Sequence, residues 1–209
     1  MKLSPSRFRR AYNRFQKIHT SESGWPLDSF RNRESFAYGW EGYKYSLPDI
    51  ARRALDARKW ARSRVGDGTI LRRVIEAIEI PGNNLLQWQA RNGPASRAHL
   101  KLIEALDDPP ACAALESHLF DLYRARKHGH RAFEGIVAHC GKRYELLAYL
   151  FLIADPDRFL PIRTRSFDKA LDELGLEIRT EGRCSWENYG EFLSAMGAIR
   201  DQLIAEGNQ

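Results

Sequence analysis

The segment with the sequence YELLAYLFLIA, at residues 144–154, most constrains the fold. It is apolar on nearly every side, and charged residues flank it at both ends. A helix that is apolar all round must lie inside a protein. The segment is also about half as long as a helix that spans a bilayer. The sequence therefore predicts an all-α protein in which other helices surround this one.

Helix start and stop signals recur along the rest of the chain. Ser4-Pro5 is a good N-cap followed by a proline at the first helical position. Ser46 and Asp49 resemble a capping box, which would open a helix that continues to Gly66. No convincing strand pattern is present. The predicted fold class is a compact all-α bundle of about eight or nine helices around the central apolar helix.

Residues 21–45 break the helical pattern with glycines and many aromatic side chains. These aromatic residues are Trp25, Phe30, Phe36, Tyr38, Trp40, Tyr43 and Tyr45. Disordered segments are poor in aromatic residues, so the composition indicates an irregular but packed connection. We therefore predict a single helical domain over residues 1–209, with residues 1–46 as a more loosely attached helix and connection.

Composition favours a protein of the cytoplasm with an acidic partner. The chain has 33 Lys and Arg against 27 Asp and Glu, a net charge of +6, and such an excess attracts acidic molecules. Its three cysteines are an odd number and widely spaced, which favours a reducing compartment. The opening MKLSPSRFRR lacks the apolar core of a signal peptide. These features predict a soluble cytoplasmic protein with no membrane partner.

Arg163, Thr164, Arg165 and Ser166 lie at the start of a predicted helix. A helix N-terminus presents free N–H groups and a partial positive charge, and arginine forks bind phosphate well. The pattern indicates a phosphate site. Alternatively, these arginines pair with nearby carboxylates and the segment is only a capped helix. The candidate carboxylates are Asp155, Asp157 and Asp168.

Two further groups of basic residues share helix faces at the predicted spacing. They are Arg7, Arg10 and Arg14 on the first helix and Arg52, Lys59 and Arg62 on the helix expected after residue 46. Acidic partners four residues away are scarce in both segments. We therefore expect these six residues to contact nucleic-acid phosphates. A solvated basic face is the alternative.

The last third of the chain carries a series of short motifs. They are Asp155-Pro156-Asp157-Arg158-Phe159, Pro161-Ile162, Leu174-Gly175 and Tyr189. Their order resembles the helical C-terminal half of helix-hairpin-helix DNA glycosylases, and the resemblance implies a helical scaffold that binds DNA. The family's catalytic aspartate falls at or next to position 163, where this chain has Arg163. An arginine stays protonated and cannot act as a base, so glycosylase chemistry is not implied.

No catalytic residue, cofactor or metal ligand is expected from the motifs. His128 and His130 flank a glycine and His139 precedes Cys140, but the chain has neither a CxxC nor an HExxH motif. GxSxG, P-loop and GxGxxG motifs are also missing from the sequence.

The combined prediction is a non-catalytic nucleic-acid-binding protein, with DNA favoured, that acts in DNA processing or defence. Two alternatives stay open. The first is a protein-interaction subunit that uses the aromatic-rich residues 25–45 as an adhesive surface. The second is an enzyme related to DNA repair whose active site has diverged.

Overall fold

The computed structural model describes residues 3–24 and 33–206, and those residues fold almost entirely into helices. No β-strand forms within these ranges, where the only extended pairing is an isolated bridge between Arg91 and Gly93. The predicted all-α fold class is confirmed. Ten α-helices form in the described part of the chain, eight of them ten residues or longer.

The ten α-helices follow one another in this order: α1 (Pro5–Ser23), α2 (Phe36–Glu41), α3 (Tyr43–Leu55), α4 (Thr69–Ile78), α5 (Leu100–Glu104), α6 (Pro109–Tyr123), α7 (His130–Cys140), α8 (Tyr144–Ala154), α9 (Thr164–Leu174) and α10 (Trp186–Ala205). Short 3₁₀ turns lie between some of them, including Ala57–Lys59 and Arg62–Arg64 after α3. None of the helices within residues 3–24 and 33–206 combines the length and apolar character that a bilayer-spanning helix needs.

The chain forms two compact units. The first unit comprises the described parts of Met1–Ser46, Thr164–Arg183 and Asn188–Gln209. The second unit comprises Leu47–Arg163 and Cys184–Glu187. The single domain with a loosely attached segment 1–46 stays a prediction.

Helix α8 is the core of the second unit. Nine of its eleven residues are buried, which agrees with its predicted central position. The Phe151 ring meets Phe133 at a centroid distance of 5.5 Å and Phe159 at 5.1 Å. The buried Tyr149 hydroxyl donates to the carbonyl of Ala77 in α4 at 2.7 Å. The buried side chains of α8 therefore connect several elements of the second unit.

The three cysteines of the chain are buried free thiols in the structure. Burial raises the pKa of Cys140 and of Cys184 to about 12. Burial also raises the pKa of Cys112, which lies beside the carboxylate of Glu116. Because the thiolate is the reactive form of cysteine, these residues are inert parts of the core.

The start and the end of α3 differ from the sequence prediction. Gly42 already has right-handed helical dihedrals, so α3 begins at Tyr43 and Ser46 lies inside it. The Ser46 hydroxyl donates to the Tyr43 carbonyl at 3.2 Å, and the predicted capping box is wrong. The helix was expected to continue to Gly66, but it ends at Leu55 because Asp56 adopts a left-handed conformation.

Within the aromatic-rich region, the structure describes the end of α1, all of α2 and the start of α3. The Ser35 hydroxyl caps α2 by accepting from the Tyr38 N–H at 3.1 Å. The rings of Tyr38 and Tyr45 stack at 5.7 Å. Trp25 and Phe30 lie outside the described residues.

Asp168 in α9 organises part of the first unit. Its carboxylate accepts from the N–H and the hydroxyl of Thr180, each at 2.7 Å, and from the N–H of Glu181 at 3.0 Å. Burial acts to raise the pKa of Asp168, but these hydrogen bonds and the Arg179 charge outweigh it and lower the pKa. The ionised carboxylate therefore ties α9 to the segment that follows it.

Replacing Phe151 with Ala should destabilise the protein by about 3–5 kcal/mol, because the ring is fully buried and its removal leaves a cavity. Urea unfolding measures the change. The control Ile50→Ala removes an exposed side chain of α3 and should change stability by less than about 0.5 kcal/mol. A loss below about 1 kcal/mol in Phe151→Ala would contradict a core role for α8.

Replacing Asp168 with Asn should destabilise the protein at pH 7 by about 1–3 kcal/mol, because an amide cannot accept all three hydrogen bonds. A carboxylate with a lowered folded pKa stabilises the fold above its unfolded pKa and loses this effect as pH falls through the folded value. The difference from the parent protein should therefore shrink in urea titrations below about pH 4. The exposed Asp201→Asn, which lies outside this network, serves as control, and a pH-independent difference would contradict the assignment.

Candidate anion-binding site

A groove with a volume of about 880 Å³ lies in the second unit. Its walls come from the second half of α3 and the turn after it, from the end of α6 and the residues that follow, and from the end of α8. Five arginines and two aspartates provide its charged groups: Arg52, Arg53, Arg58, Arg124, Arg126, Asp49 and Asp56. We call this feature the arginine groove.

Arg52 stabilises the C-terminal end of α8 from within the arginine groove. Its Nε donates to the Ile153 carbonyl at 2.8 Å and its Nη2 to the Ala154 carbonyl at 3.1 Å. The last carbonyl groups of a helix lack intrahelical partners, and they carry the negative end of the helix dipole. The Arg52 guanidinium therefore caps α8 with both hydrogen bonds and charge.

The other four arginines of the groove are exposed and available to a ligand. In the part of the chain that the structure describes, Arg53, Arg58, Arg124 and Arg126 have no carboxylate partner within ion-pair distance. Asp56, one of the two acidic residues of the groove, pairs with Lys59 at 2.8 Å. With five arginines and two aspartates in its lining, the groove therefore holds an excess of positive charge.

Two strained backbone positions border the same groove. Asp56 has a φ of 46° and Arg126 a φ of 52°, and they are the only non-glycine residues with positive φ among residues 3–24 and 33–206. Each left-handed residue costs roughly 1–2 kcal/mol. Strain of this kind persists where the surrounding structure enforces it, and it clusters at binding sites. Both Asp56 and Arg126 are part of the lining of the groove.

Aromatic residues support the groove from the core side. The Tyr123 hydroxyl donates to the Leu150 carbonyl at 3.0 Å, and burial raises the pKa of Tyr123 well above its ordinary value. The Trp60 ring meets Tyr123 edge-on at 5.8 Å, and its Nε1 donates to the Leu55 carbonyl at 2.9 Å. Trp60 is buried, so its ring belongs to the core and is not available to stack on a base.

The remaining predicted residues of the second unit are engaged by protein groups. Arg163 donates from Nη2 to the Asn84 carbonyl at 3.0 Å. Lys59 pairs with Asp56, and Arg62 pairs with Asp121 at 3.0 Å while lying over the Phe120 ring. Lys59 and Arg62 lie in separate 3₁₀ turns. Their predicted alignment with Arg52 on one helix is therefore wrong, because α3 ends before either of them.

Arg163 also lies near a half-buried carboxyl group. Burial raises the pKa of Glu145, and the Arg163 charge partly offsets this effect. Arg163 thus makes one carbonyl contact and one charge contact within the second unit. Its expected contact with phosphate stays a prediction.

The predicted residues of the first unit occupy the start of α9 and the exposed side of α1. Thr164 is the first residue of α9, and its carbonyl accepts from the Thr180 hydroxyl at 3.3 Å. Arg165 pairs through Nε with Glu181 at 2.8 Å, and Ser166 is exposed. Thus Arg165 does pair with a carboxylate, although with Glu181 and not with the aspartates considered from the sequence.

On α1, the three predicted arginines have different surroundings. Arg14 pairs with Glu173. Arg7 packs its side chain against Gly175, where an added Cβ would lie 2.9 Å from the Arg7 Cδ. Arg10 is exposed and lines two hollows, one formed by α1 alone and one shared with Asp172 and Glu173 of α9. The predicted basic face exists, but part of its charge is paired within the first unit.

Four residues of the arginine groove were missing from the predicted site. Arg53 and Arg58 do not share the expected helix face, and Arg124 and Arg126 follow α6, more than sixty residues along the chain. The local signals were clusters of basic residues, namely Arg52-Arg53, Arg58-Lys59 and RARK at residues 124–127. Tertiary packing, which the sequence pattern did not reveal, unites the two segments.

Comparison with known proteins returns no relative: no family model matches the chain, and neither a curated protein nor a solved structure matches it. The resemblance to helix-hairpin-helix glycosylases therefore depends on the short motifs of the last third alone.

The left-handed backbone at Arg126 generates a stability prediction. Arg126→Gly should raise the free energy of unfolding by up to about 1 kcal/mol, because glycine adopts positive φ without steric strain. The matched control is Arg124→Gly, which removes a similar side chain at a right-handed position and should destabilise by about 0.5–1 kcal/mol. Denaturant titration compares the two variants. Equal destabilisation by both would show that Arg126 is not strained.

Proposed function

We propose that the protein binds nucleic acid without catalysing a reaction, and that the arginine groove holds the phosphate backbone. The observation that carries this proposal is the set of four exposed arginines around one groove with no carboxylate partner among the described residues. Several unpaired guanidinium groups in one concave site favour a ligand with several negative charges. A nucleic-acid backbone is such a ligand, with its charges at regular spacing.

The chemistry of arginine supports phosphate over other acidic groups. Each guanidinium offers a rigid fork of donors that fits two phosphate oxygens, and it keeps its charge at every physiological pH. Arg52 supports the same function indirectly. By capping the carbonyl groups of α8, it offsets the negative pole that would otherwise repel an anion near Ile153 and Ala154.

The lining of the groove supports binding without catalysis. Among the described residues that form it, the acidic groups are Asp49 and Asp56, and Asp56 is engaged by Lys59. The same lining contains no histidine, cysteine or serine that could serve as nucleophile or proton carrier. Recognition through phosphates alone would be largely independent of base sequence.

We further propose DNA as the natural partner and DNA processing or defence as the setting. The resemblance of the last third to DNA glycosylases favours DNA. The free cysteines, which suit a reducing compartment, favour the cytoplasm.

Fluorescence anisotropy with labelled duplex DNA, single-stranded DNA and RNA at several salt concentrations tests the proposal. The triple variant Arg53→Ala/Arg58→Ala/Arg126→Ala should bind more weakly. Its slope of log affinity against log salt should fall by about one unit for each lost phosphate contact. Replacing the same residues with Lys keeps the charge but loses the forked donors, and the affinity should be intermediate.

A charge-matched control separates the groove from net charge. The variant Arg64→Ala/Arg73→Ala/Lys101→Ala removes three positive charges of the second unit whose side chains pair with Asp67, Glu76 and Glu104. This control should keep most of the affinity. An equal loss in both triple variants would contradict the assignment to the groove. The double variant Arg163→Ala/Arg165→Ala shows whether the residues predicted from the sequence add further contacts.

A further inference from the structure

Three potential metal ligands meet in the second unit, on elements that do not line the arginine groove. His130 is the first residue of α7, Glu134 lies one turn later, and Glu187 lies in the first turn of α10. One ligand atom from each residue lies within 4.8 Å of the other two. Glu187 is more than fifty residues away along the chain, so no local sequence motif contains all three residues.

The spacing of the ligand atoms fits a small divalent cation. The Nε2 of His130 lies 3.4 Å from the Oε1 of Glu187. Two ligands of tetrahedral zinc, each at 2.0–2.1 Å from the ion, are about 3.3–3.4 Å apart. A carboxylate oxygen of Glu134 lies within 4.8 Å of both other ligand atoms, and Glu134 sits one helical turn from His130 on the same face of α7.

The Glu134 carboxylate is oriented by the backbone. Its Oε1 accepts from the N–H of Trp186 at 3.0 Å, and the Trp186 ring packs on Phe133 at 5.9 Å. A hydrogen bond to one oxygen fixes the carboxylate and leaves its second oxygen for another contact. Ligating carboxylates are commonly held in this way by groups outside the metal's own shell.

An ion pair between His130 and Glu187 explains this arrangement less well than a metal site does. His130 and Glu187 are both largely exposed, at 63% and 68%, and exposed pairs stabilise proteins very little. A pair would also need only one carboxylate, whereas here two carboxylates approach one imidazole. Two like charges at short distance repel each other, and a divalent cation converts that repulsion into attraction for both.

We propose that His130, Glu134 and Glu187 bind one zinc ion, with water in the remaining position. One imidazole nitrogen and two carboxylate oxygens form a ligand set that zinc accepts, and harder cations such as Ca²⁺ prefer oxygen ligands alone. The motif-based expectation of no metal considered only ligands at short sequence spacing, such as CxxC and HExxH. This site is instead formed by tertiary structure, and it is independent of nucleic-acid binding by the arginine groove.

Isothermal titration of the metal-free full chain with ZnCl₂ tests the site. The expected result is one zinc ion per chain. His130→Ala and Glu187→Gln should each weaken binding by at least about 100-fold, because even loss of a supporting hydrogen bond costs 10–100-fold. Both side chains are exposed, so both variants should fold, and circular dichroism verifies this. Titration with CoCl₂ supplies a second readout, since tetrahedral cobalt absorbs strongly in the visible range.

The matched control is His139→Ala, which removes another exposed histidine of α7 that faces His118 at 6.2 Å. Zinc binding should be unchanged in this variant. The proposal is overturned if the parent chain takes up no zinc, if His130→Ala binds as well as the parent, or if His139→Ala abolishes binding instead. Equal affinity for CaCl₂ and ZnCl₂ would also overturn it, because a general acidic surface would then explain the uptake.

Discussion

The hydrogen bonds from Arg52 to the last carbonyl groups of α8 are the interaction on which the arginine groove depends. Helix α8 is the most buried element of the second unit, so its C-terminal carbonyl groups need donors from the protein itself. Arg52 supplies two of them, and this fixes α3 beside the end of α8. The turn after α3 and the residues after α6 then complete the walls of the groove. The Arg52 hydrogen bonds that cap α8 therefore also position the arginine groove, which we propose as the binding site.

The sequence predicted the elements whose signals are local. Helix α8 was recognisable because its apolar side chains leave no polar face, and burial follows directly from that pattern. The end of α3 was not recognisable, since neither glycine nor proline marks Leu55 or Asp56. The helix stops there where Asp56 turns left-handed and the buried Trp60 donates to the Leu55 carbonyl. Both features depend on tertiary packing, and they move Lys59 and Arg62 off the predicted helix face.

Charge alone could not separate the arginines without a carboxylate partner from those that pair within the fold. Arg62 and Arg14 were expected to contact phosphates. In the structure, Arg62 pairs with a carboxylate 59 residues away in the sequence, and Arg14 pairs with one 159 residues away. A search for acidic residues within one helical turn cannot find such partners. The residues left without carboxylate partners in the described chain, such as Arg58 and Arg126, were ordinary members of basic clusters when read along the sequence. Pairing at long range therefore decides which arginines of the described chain keep a charge without a carboxylate partner.

The burial of all three thiols makes the protein suited to site-specific labelling. Maleimides react with thiolates, and Cys140 and Cys184 stay protonated at neutral pH because their pKa is about 12. A cysteine placed at Ala125, an exposed residue of the arginine groove, would carry a fluorophore or spin label without removal of the native cysteines. Such a probe would report directly on whatever occupies the groove, in purified protein or in a crude extract.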